Sequence, residues 1–63
     1  MHLYVVKFTC TEGTGWAIVN SLSPGYVEGV LKRQSRFTDI NVLSYKEIEY
    51  IGNEKSLICE GVN

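Results

Sequence analysis

The stretch LYVVKFTCTEGTGWAIVN, residues 3–20, decides the fold. Its first half, residues 3–10, is dominated by β-branched and aromatic side chains, which suit a pleated and half-buried ribbon. Glu12 and Gly13 then make a turn, because glycine accepts a positive φ at no steric cost, and residues 16–22 resume the β pattern. The segment reads as a β-hairpin. Pairing about Glu12 and Gly13 sets Phe8 opposite Ala17, Val6 opposite Val19 and Tyr4 opposite Ser21. One face then has large residues on one strand and small ones on the other. Small residues let a helix approach closely, which assigns Tyr4, Val6, Phe8, Cys10, Ala17 and Val19 to a helix-covered core. The other face mixes Leu3, Val5, Trp16 and Ile18 with Lys7, Thr9 and Asn20.

Downstream lies a helix start. Ser23 is placed as N-cap, the only proline, Pro24, takes the first helical position, and Leu22 can staple against Val27. Val27, Val30, Leu31 and Gln34 keep helical spacing, and Lys32, Arg33 and Arg36 fall near the C-terminal end, where the macrodipole favours cations. Interior glycines at 25 and 29 weaken this helix, so packing on the sheet must hold it.

Residues 40–51 suggest a third strand, residues 52–55 a turn, and residues 56–61 a fourth strand. Pairing this second hairpin about Asn53 and Glu54 puts Ile48 opposite Cys59 and Tyr50 opposite Leu57 on the core side, with Glu47, Glu49 and Glu60 on the other. Leu43 and Tyr45 then face away from the helix, unless a bulge shifts the register of this long strand. A right-handed crossover from the second strand through the helix brings the third strand beside the first. The expected architecture is α+β: one domain over residues 1–63, ββαββ, with an antiparallel sheet of order 2-1-3-4 and one helix on one face.

A chain of 63 residues can bury only about 60% of the surface it exposes when unfolded, so its stability is thin. With 44% hydrophobic and 21% charged residues it has enough apolar area to fold. A formal charge of −1 supplies no global field toward nucleic acid or an anionic membrane. No apolar run approaches the roughly 20 residues that cross a bilayer, and no signal-peptide pattern opens the chain, so a cytoplasmic location is expected. Cys10 and Cys59 are too few for a disulfide framework; they are buried reduced thiols, or a single bridge if their strands are neighbours on one face.

Chemistry-bearing residues are scarce. His2, the only histidine, lacks an oriented nucleophile and acid for a triad, and with Cys10 and Cys59 it offers no paired ligand spacing for zinc. The glycines at 13 and 15 precede a strand, whereas a phosphate loop needs a helix start, so they are turn residues. No catalytic residue, metal ligand or cofactor site is assigned. Glu47, Glu49 and Glu60 read as a solvated acidic face. Lys32, Arg33 and Arg36, with Tyr26 and Phe37 near, form a short basic and aromatic cluster able to touch phosphates and stack a base, although serving the helix end explains them equally well. The strongest feature is the second sheet face, where Leu3, Val5, Trp16, Ile18, Leu43 and Tyr45 leave apolar area that one helix on the opposite side cannot cover.

The pattern YVVKFTC, then GWAIVN, then LKRQSRF resembles small uncharacterised proteins of gut bacteria and their mobile elements, over most of the chain. That resemblance implies a compact hairpin–helix–hairpin protein and carries over no functional residue. The expected function is therefore a non-enzymatic bacterial or phage accessory protein acting by protein–protein interaction, self-associating as a homodimer or binding a foreign protein. The alternatives are a small nucleic-acid-binding regulator using Lys32, Arg33 and Arg36, and a purely structural role.

Overall fold

The computed structural model describes residues 2–49 and 55–63. The elements are β1 (His2–Cys10), β2 (Gly13–Ser21), a 3-10 turn (Pro24–Tyr26), α1 (Val27–Gln34), β3 (Asn41–Ile48) and β4 (Leu57–Val62). The class is as expected, α+β, with a four-stranded antiparallel sheet and α1 on one face. The order is β3-β1-β2-β4, so β1 lies between β2 and β3 as the crossover argument requires.

The place of β4 differs from the expectation. It pairs with β2 rather than β3, so among the described residues β3 and β4 lie on opposite edges of the sheet and do not pair. The physical reason lies in the first hairpin. Both of its strands are apolar, and order 2-1-3-4 would leave β2 at an edge with Ala17 and Val19 half covered. A strand on each side makes β1 and β2 both interior, and Leu57, opposite Val19, then packs against the core. Of the turn expected at residues 52–55, residues 52–54 lie outside the described residues, as does Tyr50 with its pairing.

The β1–β2 turn is Thr11 and Glu12, closed by the pair Cys10 and Gly13, with Gly13 at φ 132. Only glycine takes that conformation readily. The register is therefore shifted by two residues from the expected one: Val6 faces Ala17, Tyr4 faces Val19 and Phe8 faces Gly15. A shift of two preserves side-chain parity, so the core set survives. Tyr4, Val6, Phe8, Ala17 and Val19 are all buried, and Cys10 packs at their margin. Gly15 makes room for Phe8, since a methyl there would sit 2.6 Å from two of its ring carbons.

The chain leaves β2 through Ser23 in extended conformation and turns helical at Pro24, with the Tyr26 N–H donating to the Ser23 carbonyl at 3.2 Å. The Ser23 side chain makes no capping bond, and Leu22 is exposed rather than stapled. Val27, Val30 and Leu31 form the buried stripe of α1. At its end, Glu60 of β4 accepts from the Ser35 hydroxyl and, at 3.0 Å, from the Arg36 N–H, while Gln34 accepts from the Leu57 N–H at 3.3 Å. A helix of eight residues is marginal alone, so these ties to β4 and the buried stripe hold it.

Residues 35–40 close the remaining gap over the core. Phe37 leans on Phe8 with ring centroids 6.3 Å apart, and Ile40 is buried. The hairpin turn clasps this connection: Thr11 N–H donates to the Thr38 carbonyl at 2.9 Å, Thr38 N–H to Glu12 at 3.1 Å, and the Thr11 hydroxyl to Asp39 at 2.9 Å. Asp39 has φ 55, which aspartate tolerates better than most residues.

Two bulges set the faces of the outer strands. On β3, Lys7 faces Ser44 and Phe8 faces Val42, leaving Leu43 as the extra residue. On β4, Ile58 is the extra residue between Leu57 and Cys59.

Candidate functional site

Strand alternation turns the odd residues of β1 and the even residues of β2 away from α1. Read across the sheet, the rows of this far face are Gly61, Trp16, Lys7 and Ser44; then Cys59, Ile18, Val5 and Lys46; then Asn20, Leu3 and Ile48. The last row is closed, with Leu3 8% and Asn20 1% exposed. The first two are open, with Trp16 at 39% and Val5 at 36%. The Trp16 indole lies against Gly61, where a methyl would meet three ring atoms at 2.9–3.0 Å. Glycine thus seats the ring at the β4 side of the face while leaving part of it in solvent.

Of the six residues expected on this face, the structure brings together Leu3, Val5, Trp16 and Ile18. Leu43 and Tyr45 do not join them. Leu43 is the bulge residue, 57% exposed at the edge. Tyr45 faces Val6 on the helix side and meets Tyr4 edge-to-face, centroids 5.8 Å apart at 86°. The bulge causes this exchange, because one extra residue inverts the parity of β3 beyond it. It also carries Ile48 to the far face and Glu47 to the helix side. Cys59 likewise stands exposed on the far face, and Glu60 on the helix side, because β4 pairs with β2. Glu47 and Glu60 share a side but stand on opposite edges, and Glu49 lies beyond the end of β3. No joint acidic face forms. Both thiols are free, on strands that are not neighbours.

The charges of the strands divide by face. Lys7 and Lys46 stand on the far side, and Glu47 and Glu60 on the helix side. At the helix-side corner Glu47 lies 3.4 Å from His2 Nδ1 and accepts from the Tyr4 hydroxyl at 3.4 Å. Burial first, then the Glu47 carboxylate, pushes the Tyr4 phenol above its usual value. At the hairpin turn the Thr38 backbone N–H holds the Glu12 carboxyl below the ordinary carboxylate range.

The basic cluster is divided. Lys32 pairs with Glu28 at 3.0 Å, and the Arg36 guanidinium lies 5.0 Å from the Phe37 ring centroid. Lys32 lines an open groove of 610 Å³ with Phe37, Thr38, Asp39 and Ile40, whereas Arg33 lines a separate hollow of 160 Å³ with Tyr26. Among the described residues, no three His, Cys, Asp or Glu side chains gather to hold a metal ion, and no helix is long and apolar enough to cross a membrane.

Five contributors to the far face lie outside the sequence assignment: Ser44, Lys46 and Ile48 on β3, and Cys59 and Gly61 on β4. For those on β3 the signal was the bulge, which the length of the third strand suggested without locating; those on β4 follow from its pairing with β2. No protein-family model, curated protein or solved structure matches this chain.

Proposed function

We propose that this chain is a small non-enzymatic accessory protein of the cytoplasm that works by docking another macromolecule on the far face of its sheet. One observation carries the reading: Val5, Trp16 and Ile18 form a contiguous apolar patch on the two interior strands, and more than a third of Val5 and of Trp16 stays exposed, with no second layer of described residues over them. Neither of the hollows at the helix, of 610 and 160 Å³, is lined by Val5, Trp16 or Ile18, and a patch carried on open sheet rows suits a macromolecular surface better than a small substrate. Affinity capture from the source lysate tests it. Partners should be lost with Val5→Ser and Trp16→Ser chains that keep native circular dichroism, and retained with Tyr26→Ser. Equal retention by all three variants refutes docking at this face.

Self-association at the β3 edge is the second reading. It is favoured by the position of β3 at the outside of the sheet, with Leu43 and Tyr45 more than half exposed. Light scattering should give a dimer mass that falls to the monomer in Leu43→Lys/Tyr45→Lys. A monomer mass for the unaltered chain at high concentration removes this reading. The basic helix end has less support as a nucleic-acid site, since Lys32 is engaged by Glu28 and its groove contains Asp39.

A further inference from the structure

Resting on the docking reading above, we propose that the occupant of the far face is an acidic polypeptide segment that also presents apolar side chains. On the strands, both lysines lie on the far face and both glutamates on the other, so among the described strand residues the apolar patch is bordered by cations alone. Lys7 faces Ser44 and Val5 faces Lys46, which makes the two lysines diagonal neighbours on one face, within reach of each other's long side chains. Like charges so placed repel, and no far-face strand carboxylate relieves them. A ligand carboxylate laid across β1 and β3 would.

The apolar half of the face fixes the rest of the ligand. Trp16 and Ile18 on β2 occupy the β4 side, Val5 and Lys7 share β1, and Lys46 lies beyond them on β3. One partner must therefore bury apolar groups on β2 and place carboxylates less than a sheet's width away. A second copy of this chain fits less well, since laid face to face its described strand residues bring two more lysines and no carboxylate. Single-stranded nucleic acid fits less well: its affinity comes from neutralising a run of phosphates, and two lysines on a chain of net charge −1 offer little of that.

The test is a heteronuclear NMR titration of the full chain with four probes: a short synthetic peptide rich in Asp, Glu, Leu and Phe, its Lys/Arg counterpart, an uncharged Ser/Leu/Phe peptide, and oligothymidylate. The acidic peptide should shift Val5, Lys7, Trp16, Ile18 and Lys46 together. Its affinity should fall by about tenfold or more in Lys7→Glu/Lys46→Glu, and should weaken at about 1 M salt, where screening reaches about 3 Å. The charge-reversed chain should instead prefer the Lys/Arg peptide. Stronger binding of oligothymidylate or of the Lys/Arg peptide by the unaltered chain overturns the proposal, as does absence of acidic-peptide binding at millimolar concentration. Equal binding of the uncharged peptide, indifferent to Lys7→Glu/Lys46→Glu, overturns the acidic occupant while leaving docking at the face intact.

Discussion

On the helix side of β1 and β2, Tyr4, Val6, Phe8, Ala17 and Val19 are at most 1% exposed; one residue further along the same strands, Val5 and Trp16 stand at 36% and 39%. The backbone, the hydrogen-bonded ladder and much of the composition are shared, so the contrast measures cover alone. Alternation makes two faces, and α1 with the connection after it is enough chain to roof one of them. The roofed face holds the molecule together. The other is open over its first two rows, and its strands carry lysines there where the strands of the roofed side carry glutamates.

The largest test of this contrast compares neighbouring deletions on the two sides. Phe8→Ala should cost about 3–5 kcal/mol, which for a chain of this length, with roughly 3–9 kcal/mol in total, unfolds much of the population. Val5→Ala should cost about 1 kcal/mol or less. Chemical denaturation measures both, and comparable losses would mean that the far face is as tightly packed as the core.

Next come the two glycines that seat aromatic rings. Gly15→Ala puts a methyl 2.6 Å from the buried Phe8 ring and 2.9 Å from the Gly61 carbonyl, neither of which can yield easily. It should cost about 1–3 kcal/mol as overpacking. Gly61→Ala presses on Trp16, which is part in solvent and can swing aside, so the loss is smaller and appears as a red shift in Trp16 emission. If Gly61→Ala proves the more damaging, the indole is locked in place.

A smaller effect concerns the clasp that closes the roof. The Glu12 carboxyl is held below its ordinary range by the Thr38 N–H, so the unfolded chain binds that proton more readily than the folded one. Its stabilising share is complete above the unfolded carboxylate value of about 4.3 and is lost as pH falls through the folded value. The stability gap between the unaltered chain and Glu12→Gln, open at neutral pH, should therefore close on acidification. A gap that is constant with pH denies the clasp this role.

The smallest effect leaves stability untouched. Cys59, exposed on the far face, should react with a thiol reagent faster than Cys10, which is half-buried and donates to the Gly13 carbonyl at 3.3 Å. An occupied far face should slow Cys59 alone; equal slowing of both thiols would place the ligand elsewhere.

Parity within the first hairpin was legible because large side chains on one strand met the small Ala17 and Val19 on the other across one face, and an error of two residues in register leaves side-chain parity unchanged. The start of the helical region was legible from Pro24. The outer strands were less so. Their pairing partners are set by which edge needs covering, a property of the whole sheet, and their faces by bulges at Leu43 and Ile58 that leave no mark in residue type. Four of the six expected face residues were thus found on the interior strands, and the two that failed, Leu43 and Tyr45, both lie on β3.

The strand order also bears on how the chain comes off the ribosome. β1 and β2 adjoin through a two-residue turn and can zip early, whereas β4 must find β2 across the intervening helix and β3. During synthesis the nascent hairpin therefore waits with the outer border of β2 unshielded until the fourth strand emerges. That interval is when sticking between growing chains is most to be expected.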